Sequence, residues 1–244
     1  MGIFTMEVAG LVINVTSRFD STIEYCRAYL SDRESDCSIE VLDEDLVYEQ
    51  SMAEKEAIKE GIRIRKYTNP HLERATILRK TASELVHRDT VMLHGSAIGI
   101  DGEAFLFTAA CGTGKSTHAR FWMEQFGNRA VMINDDKPFL QITSSGIFVC
   151  GSPWGGKHGL QSNVRLPLKG ICFLRRGQEN VIRQVNPRNF TEELRHQIFI
   201  PYETEEQNRV YDLIDEISNF GSYWEMECTK DPVSALISYG AMSR

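Results

Sequence analysis

Gly112-Thr113-Gly114-Lys115-Ser116-Thr117 is the segment of this chain best equipped for chemistry. Two glycines one residue apart let backbone N–H groups turn inward around an anion. The lysine that follows can reach phosphate oxygens, and the hydroxyl after it can bind Mg²⁺. A helix starting at the lysine would aim the positive end of its dipole at the same anion. The residues match the second half of the P-loop, so ATP and Mg²⁺ are the expected cofactors, with Cys111, Gly112, Thr113, Gly114, Lys115, Ser116 and Thr117 around the phosphates. The eight-residue form of the loop opens on a glycine, whereas Ala109 stands at that place here, and Cys111 precedes Gly112. A thiol among inward N–H groups near Lys115 could ionise readily. A small residue tolerated at that place is the plainer reading of Cys111.

Asp135-Asp136 follow about twenty residues beyond Lys115, at the end of a short apolar run, where a second strand of a nucleotide site presents its metal-binding carboxylate. Adjacent carboxylates permit a division of labour, one holding Mg²⁺ and the other taking a proton from an acceptor hydroxyl. A solvated Asp-Asp turn is the alternative that the residues alone leave open. His94, within Leu93-His94-Gly95-Ser96-Ala97, ends an apolar run, and a lone histidine beside a strand is ordinarily structural. Arg120, Arg165, Arg175 and Arg176 are candidates for stabilising transition-state charge, with surface ion pairs as the default.

The elements that must hold these groups can be read from spacing. Residues 91–100 and 103–109 are apolar runs separated by Asp101-Gly102, a hairpin signal, and the second run feeds the glycine-rich loop. Lys115 to Phe126 reads as a helix ended by Gly127, and 130–134 as a buried strand. Further strands are expected at 138–142, 146–150, 169–174 and 180–185, and helices at 189–199, 203–219 and 232–242. Before residue 89, a strand at 9–15 and a helix at 71–88 stand out. The stretch 33–62 is polar and acidic with little pattern. Hairpin-linked strands together with helices imply a mixed sheet rather than a purely parallel one. The expected division is an N-terminal α+β region, 1–88, and an ATP-binding domain, 89–244.

Composition narrows the partners. With 27 Lys+Arg against 34 Asp+Glu the formal charge is -7, which argues against nucleic acid as the main partner. The six cysteines form no CxxC pair and have no histidine at metal-ligand spacing, so zinc is not expected and isolated thiols suit a reducing compartment. No apolar run has the length of a membrane span, and residues 1–9 lack the features of a signal peptide. A cytoplasmic protein without a membrane partner is expected.

His94-Gly95-Ser96-Ala97, Asp101-Gly102, Cys111 to Thr117 and Asn134-Asp135-Asp136-Lys137 follow one another in an order and spacing that resemble a known family. It is the catalytic domain of HPr kinase/phosphorylase, shared with the nucleotide-binding part of ATP-dependent phosphoenolpyruvate carboxykinase. Ser152-Pro153-Trp154-Gly155-Gly156-Lys157 resembles a further segment of the HPr-kinase-related group. The resemblance covers roughly residues 89–175. It implies a mixed β-sheet flanked by helices around a P-loop core, and assembly into multimers. It also implies transfer of the γ-phosphoryl group of ATP to a hydroxyl, serine above all, of a protein, peptide or small molecule. By position, Lys115 would touch the outer phosphates, Ser116 and Asp136 would bind the metal, Asp135 would be the general base and His94 would lie near the transferred phosphate. Lys157 would clamp phosphate or substrate, a solvated loop lysine being its other reading. The signature linked to dephosphorylation in the family has no counterpart here. A carboxykinase-like lyase and a non-catalytic ATP-binding regulator are the alternative functions.

Overall fold

The computed structural model describes residues 2–110, 112–220 and 222–244, and all counts are of these residues. The chain divides into two compact units, Met1–Glu84 and Leu85–Arg244.

In the first unit, β1 (Gly2–Val8) and β2 (Leu11–Ser17) form an antiparallel hairpin in register from Gly2↔Ser17 to Val8↔Leu11. Ala9 and Gly10 join them at φ 51° and 83°, the two positive values that the tightest hairpin turn demands. A short β3 (Cys37–Glu40) lies parallel to β2. Helices α1 (Asp20–Tyr25), α2 (Asp43–Glu60) and α3 (Asn69–Val86) complete the unit, and the last two residues of α3 belong to the second. Glu73 on α3 is fully buried, and its carboxylate accepts from Ser17 Oγ, Thr22 Oγ1 and the Arg18 backbone N–H.

Neither β1 nor α2 is expected from the pattern. α2 buries little apolar surface, with Leu46 and Ala57 inside and Val47 and Ile58 outside, so its periodicity is faint. What specifies it is the ends. Three acidic residues fill the first turn, the Asp45 carboxylate accepts from the Leu42 backbone N–H at 2.9 Å, and Gly61 closes the helix at φ 67°.

The second unit is a curled mixed sheet with helices on both faces. Its strands are β4 (Thr90–Met92), β5 (Ser96–Ile100), β6 (Glu103–Thr108), β7 (Ala130–Asn134), β8 (Phe139–Thr143), β9 (Gly146–Cys150), β10 (Arg165–Arg176), β11 (Val181–Val185) and β12 (Tyr223–Cys228). They are ordered β4-β8-β9-β10-β6-β5-β7, with β12 also on β10 and β11 on β12. β10 carries the curl. Its first three residues pair antiparallel with β9 and its last six pair parallel with β12, while it runs parallel to β6 across a register shift between Leu168 and Gly170.

Alternation distributes the central strands between two cores. Ala97, Leu106, Ile133, Ile171, Phe173 and Tyr223 face one core, closed by α5 (Thr191–Arg195) and α6 (Thr204–Ser218) through Leu194, Val210, Leu213, Ile214 and Ile217. Ile98, Phe105, Phe107, Met132, Cys172 and Met226 face the other, closed by α4 (Lys115–Phe126) and α7 (Val233–Met242). Among the described residues, no helix is long and apolar enough to cross a membrane.

Two expectations need correction. The run 91–100 is not one strand. It breaks after Met92, and β4 pairs with β8 whereas β5 pairs with β6 and β7. The break brings Gly95 against its neighbours, since a Cβ there would lie 2.8 Å from Leu93 Cδ2 and 2.9 Å from the Phe107 carbonyl oxygen. β12, absent from the pattern, is a mixed run (Tyr-Trp-Glu-Met-Glu-Cys) that owes its place to β10 on one side and β11 on the other.

A polar inset within the α4–α7 core sets a pH response. His118 is 3% exposed, lies 3.1 Å from Ser238 Oγ through Nε2 and 3.3 Å from Ser234 Oγ through Nδ1, and Trp122 Nε1 donates to its Nε2. Accepting from Trp122 requires the neutral ring, and burial pushes its pKa down to about 4. The unfolded chain takes up this proton near the ordinary value of 6.5, so the folded state holds its full advantage above that pH. The advantage is lost as pH falls from 6.5 towards 4, by on the order of 3 kcal/mol. Urea unfolding at pH 7 and pH 4.5 should show the loss, and a His118→Asn variant should show less of it. An equal pH dependence in both proteins would rule this source out.

Candidate active site

The site collects where three connections of the second unit meet: the β4–β5 break, the β6–α4 loop and the end of β7. In the break, backbone N–H groups are all spoken for. Leu93 donates to the Pro138 carbonyl at 3.0 Å, His94 to Gln197 at 2.7 Å and Gly95 to Asp136 at 3.1 Å. Thr108 Oγ1, on the last residue of β6, donates to the His94 carbonyl at 3.0 Å. The histidine is thereby fixed at the point where the sheet parts.

In the β6–α4 loop, Gly112 and Gly114 adopt φ 72° and 124°, and a Cβ at either would meet nothing within 4 Å. The glycines are there for backbone conformation and not for packing. Gly114 is the N-cap of α4 and offers no side-chain acceptor, so no cap competes for the first N–H groups of the helix. Lys115 is 8% exposed and folds back to donate from Nζ to the Ala109 carbonyl at 2.9 Å. Ser116 is exposed and Thr117 half-buried. Cys111 lies outside the described residues.

At the end of β7 the two carboxylates have different surroundings. Asp135 is 7% exposed and accepts a hydroxyl hydrogen bond from Ser96 at 2.7 Å, with the Ser116 hydroxyl nearby. Burial raises its pKa; the hydroxyls of Ser96 and Ser116 oppose this, neighbouring Asp136 adds to it, and His158 opposes it. Asp136 is half-exposed, with Oδ1 3.5 Å from His94 Nε2 and 4.0 Å from Lys137 Nζ. Burial, then Lys137, then Lys115 push the His94 pKa down to about 3. His94 is therefore neutral at pH 7, and its approach to Asp136 is a long polar contact rather than an ion pair.

Asn134 holds the pair in place. Fully buried, it accepts through Oδ1 from the backbone N–H groups of Asp136 at 2.8 Å and Lys137 at 2.6 Å. Its amide donates to the carbonyl and hydroxyl oxygens of Ser152 at 3.0 and 2.9 Å, and Ser152 Oγ donates to the Lys137 carbonyl. The turn that follows Ser152 closes over the carboxylates. Asp135 N–H donates to Leu160 O, Ser162 N–H to Ile133 O, and Gly156 at φ 70° leaves 2.8 Å between a built Cβ and Asp136 Cβ. Any side chain at 156 would press on that carboxylate.

Of the residues singled out by sequence, His94 and Asp136 are in contact, while Lys115 and Ser116 lie close enough to bear on the charge of His94 and Asp135. Lys157 is exposed on the turn that Gly156 opens. The four arginines separate. Arg120 pairs with Glu124, Arg165 stacks over Phe148 and bonds Gln141, and Arg175 is held by Glu193 and Glu225. Arg176 donates to the Gly112 carbonyl. Roles for Ser96, Asn134, Ser152 and Gly156 did not emerge from the sequence. Asn two residues before an N–H it can accept is a turn signal that marks Asn134; the others depend on contacts between distant segments.

No protein-family model matches the chain, and no curated protein matches it. Among solved structures it is similar to the HPr(Ser) kinase/phosphatase from Coxiella burnetii, at 11% sequence identity and a TM-score of 0.31, over 52% of this chain and 95% of that one. A similarity at that level is no basis for assigning a reaction.

Proposed function

We propose that this chain is a Mg²⁺-dependent phosphotransferase that moves the γ-phosphoryl group of ATP to a hydroxyl, serine being the foremost acceptor. The observation that carries the reading is the nearness of the glycine-rich loop to the carboxylate pair: burial raises and Ser116 lowers the pKa of Asp135, Lys115 bears on His94, and His94 lies 3.5 Å from Asp136. An anion-accepting helix start and two carboxylates share one place.

The residues suit the cofactors. The Lys115 ammonium is bonded to a carbonyl of its own loop, a partner that phosphate oxygens can replace at little cost. Among the described residues no three or more His, Cys, Asp or Glu side chains gather as a complete metal cage. Mg²⁺ asks for no such cage, being held by one or two carboxylates, waters and substrate phosphates. Hard oxygen donors at Ser116 and Asp135 meet that demand. When bound, the cation neutralises charge on the phosphates and aligns them.

The surroundings favour a division of labour opposite to that implied by family position. Asp135 is buried with the Ser116 hydroxyl close enough to bear on its charge, so it belongs on the metal side of the site. Asp136, more exposed and facing His94, is placed to take the proton of an acceptor hydroxyl. His94, neutral and fixed by its backbone, orients that carboxylate. Lys115 binds the outer phosphates, and the turn from Ser152 to Gln161 holds the backbone of the carboxylate pair through Ser152 and Leu160.

The test is binding. Mg-ATP should raise the melting temperature of the wild-type protein, and Lys115→Ala should weaken its affinity by about ten- to a hundredfold, the worth of one hydrogen bond to a charged group. Equal stabilisation of both proteins would refute the site. Binding without transfer to any acceptor would leave a nucleotide-dependent regulator.

A further inference from the structure

We propose that the cleft beside the first two turns of α4 receives the heterocyclic base of the nucleotide, with Arg176 bridging base and phosphate loop. This rests on the nucleotide-binding reading above and adds where the rest of the molecule lies. The cleft has a volume of about 220 Å³ and is bordered by Gly114, Thr117 and Phe121 on one side and by Arg176, Cys228 and Thr229 on the other.

Its position follows from the helix period. Gly114, Thr117 and Phe121 are spaced three and four apart and so share one face of the helix start. Ser116, Asp135 and His94, the groups assigned to the reacting end, are not part of its wall. A phosphate chain cradled by the loop, with its outer end at Lys115 and Ser116, must leave its inner end near Thr113, Gly114 and Thr117, at the mouth of the cleft.

The walls suit a flat ring. The Arg176 guanidinium is anchored on the Gly112 carbonyl, and a planar guanidinium stacks on aromatic faces. Phe121, 8% exposed, gives an apolar wall opposite. The rim is preformed, since Gly177 N–H donates to the Cys228 carbonyl at 3.1 Å and Thr229 N–H to Asn180 Oδ1 at 2.9 Å. The volume is below the roughly 300–1,000 Å³ of pockets that engulf a drug-sized ligand, which suits one ring system with the sugar at the mouth.

Calorimetric titration with ATP and with inorganic tripolyphosphate, both with Mg²⁺, tests this on the full chain and on Thr229→Tyr, whose ring fills the cleft. The wild type should bind ATP at least about tenfold tighter than tripolyphosphate. Thr229→Tyr should remove most of that difference, leaving tripolyphosphate affinity within about twofold. ATP and tripolyphosphate bound equally by the wild type, or weakened equally by the substitution, would overturn the base site and leave the phosphate site standing. Failure of both ligands to bind the wild type would overturn both readings. Should Thr229→Tyr not fold, photolabelling of the wild type with 8-azido-ATP decides. Label on 176–177 or 228–230 supports the site, and label confined elsewhere overturns it.

Discussion

Asp136→Asn should lower phosphoryl transfer by about 10²- to 10⁴-fold, the usual contribution of a positioned base, with Mg-ATP affinity nearly unchanged. Asp135→Asn should act differently: nucleotide should still bind, but Mg²⁺ should no longer strengthen that binding. The contrast follows from surroundings rather than from chemistry, since both are carboxylates. Asp135 is 7% exposed, takes a hydroxyl bond from Ser96 and has the Ser116 hydroxyl nearby, whereas Asp136 looks toward His94 at 3.5 Å. Asparagine keeps the shape of either side chain and removes the charge. Single-turnover transfer from γ-labelled ATP, together with titrations with and without Mg²⁺, separates the two. Full transfer by Asp136→Asn with loss of transfer by Asp135→Asn would restore the assignment implied by family position.

Trp122→Ala should destabilise the second unit by about 3–5 kcal/mol. The indole is fully buried, with ring centroids 5.0 Å from those of Phe105 and Phe107, 5.5 Å from Phe126 and 5.7 Å from Tyr239. Its Nε1 donates to Ser238 Oγ at 2.9 Å as well as to His118. Alanine leaves a cavity in the middle of this ring cluster and strips both acceptors of their donor. Trp122→Phe keeps most of the volume and loses the donor, so about 1–3 kcal/mol should separate it from the wild type. Since each kcal/mol lowers the melting temperature by about 2–4 °C in units of this size, calorimetry resolves both. A melting temperature unchanged by Trp122→Ala would mean that the cluster does not hold α4 to the sheet.

Much of the second unit is legible because its signals are local. Asp101-Gly102 sits at the positive φ values of a tight hairpin turn, Gly127 closes α4 and Pro232 precedes α7. The strands of this hairpin alternate between two cores, so both read as continuous apolar runs. What the pattern could not supply are features decided at a distance. The break at His94-Gly95 depends on the Phe107 carbonyl, a dozen residues on, and β12 exists because β10 and β11 flank it. In the first unit α2 is specified by its caps more than by its face. The site divides the same way. Its glycine-rich half is a contiguous motif, whereas Ser96, Ser152 and Gly156 gain meaning only once Asp135 and Asp136 are in place. The separate surroundings of those two carboxylates carry no sequence signal at all.

Asn134 also makes two distant segments share one hinge pin. Its Oδ1 accepts from the Asp136 and Lys137 N–H groups while its amide donates to the Ser152 carbonyl and hydroxyl. The turn after β7 and the chain leaving β9 therefore hang on the same buried side chain, and neither can shift without breaking bonds made by the other. The setting of the Asp135-Asp136 pair is inherited from a residue eighteen positions beyond Asn134.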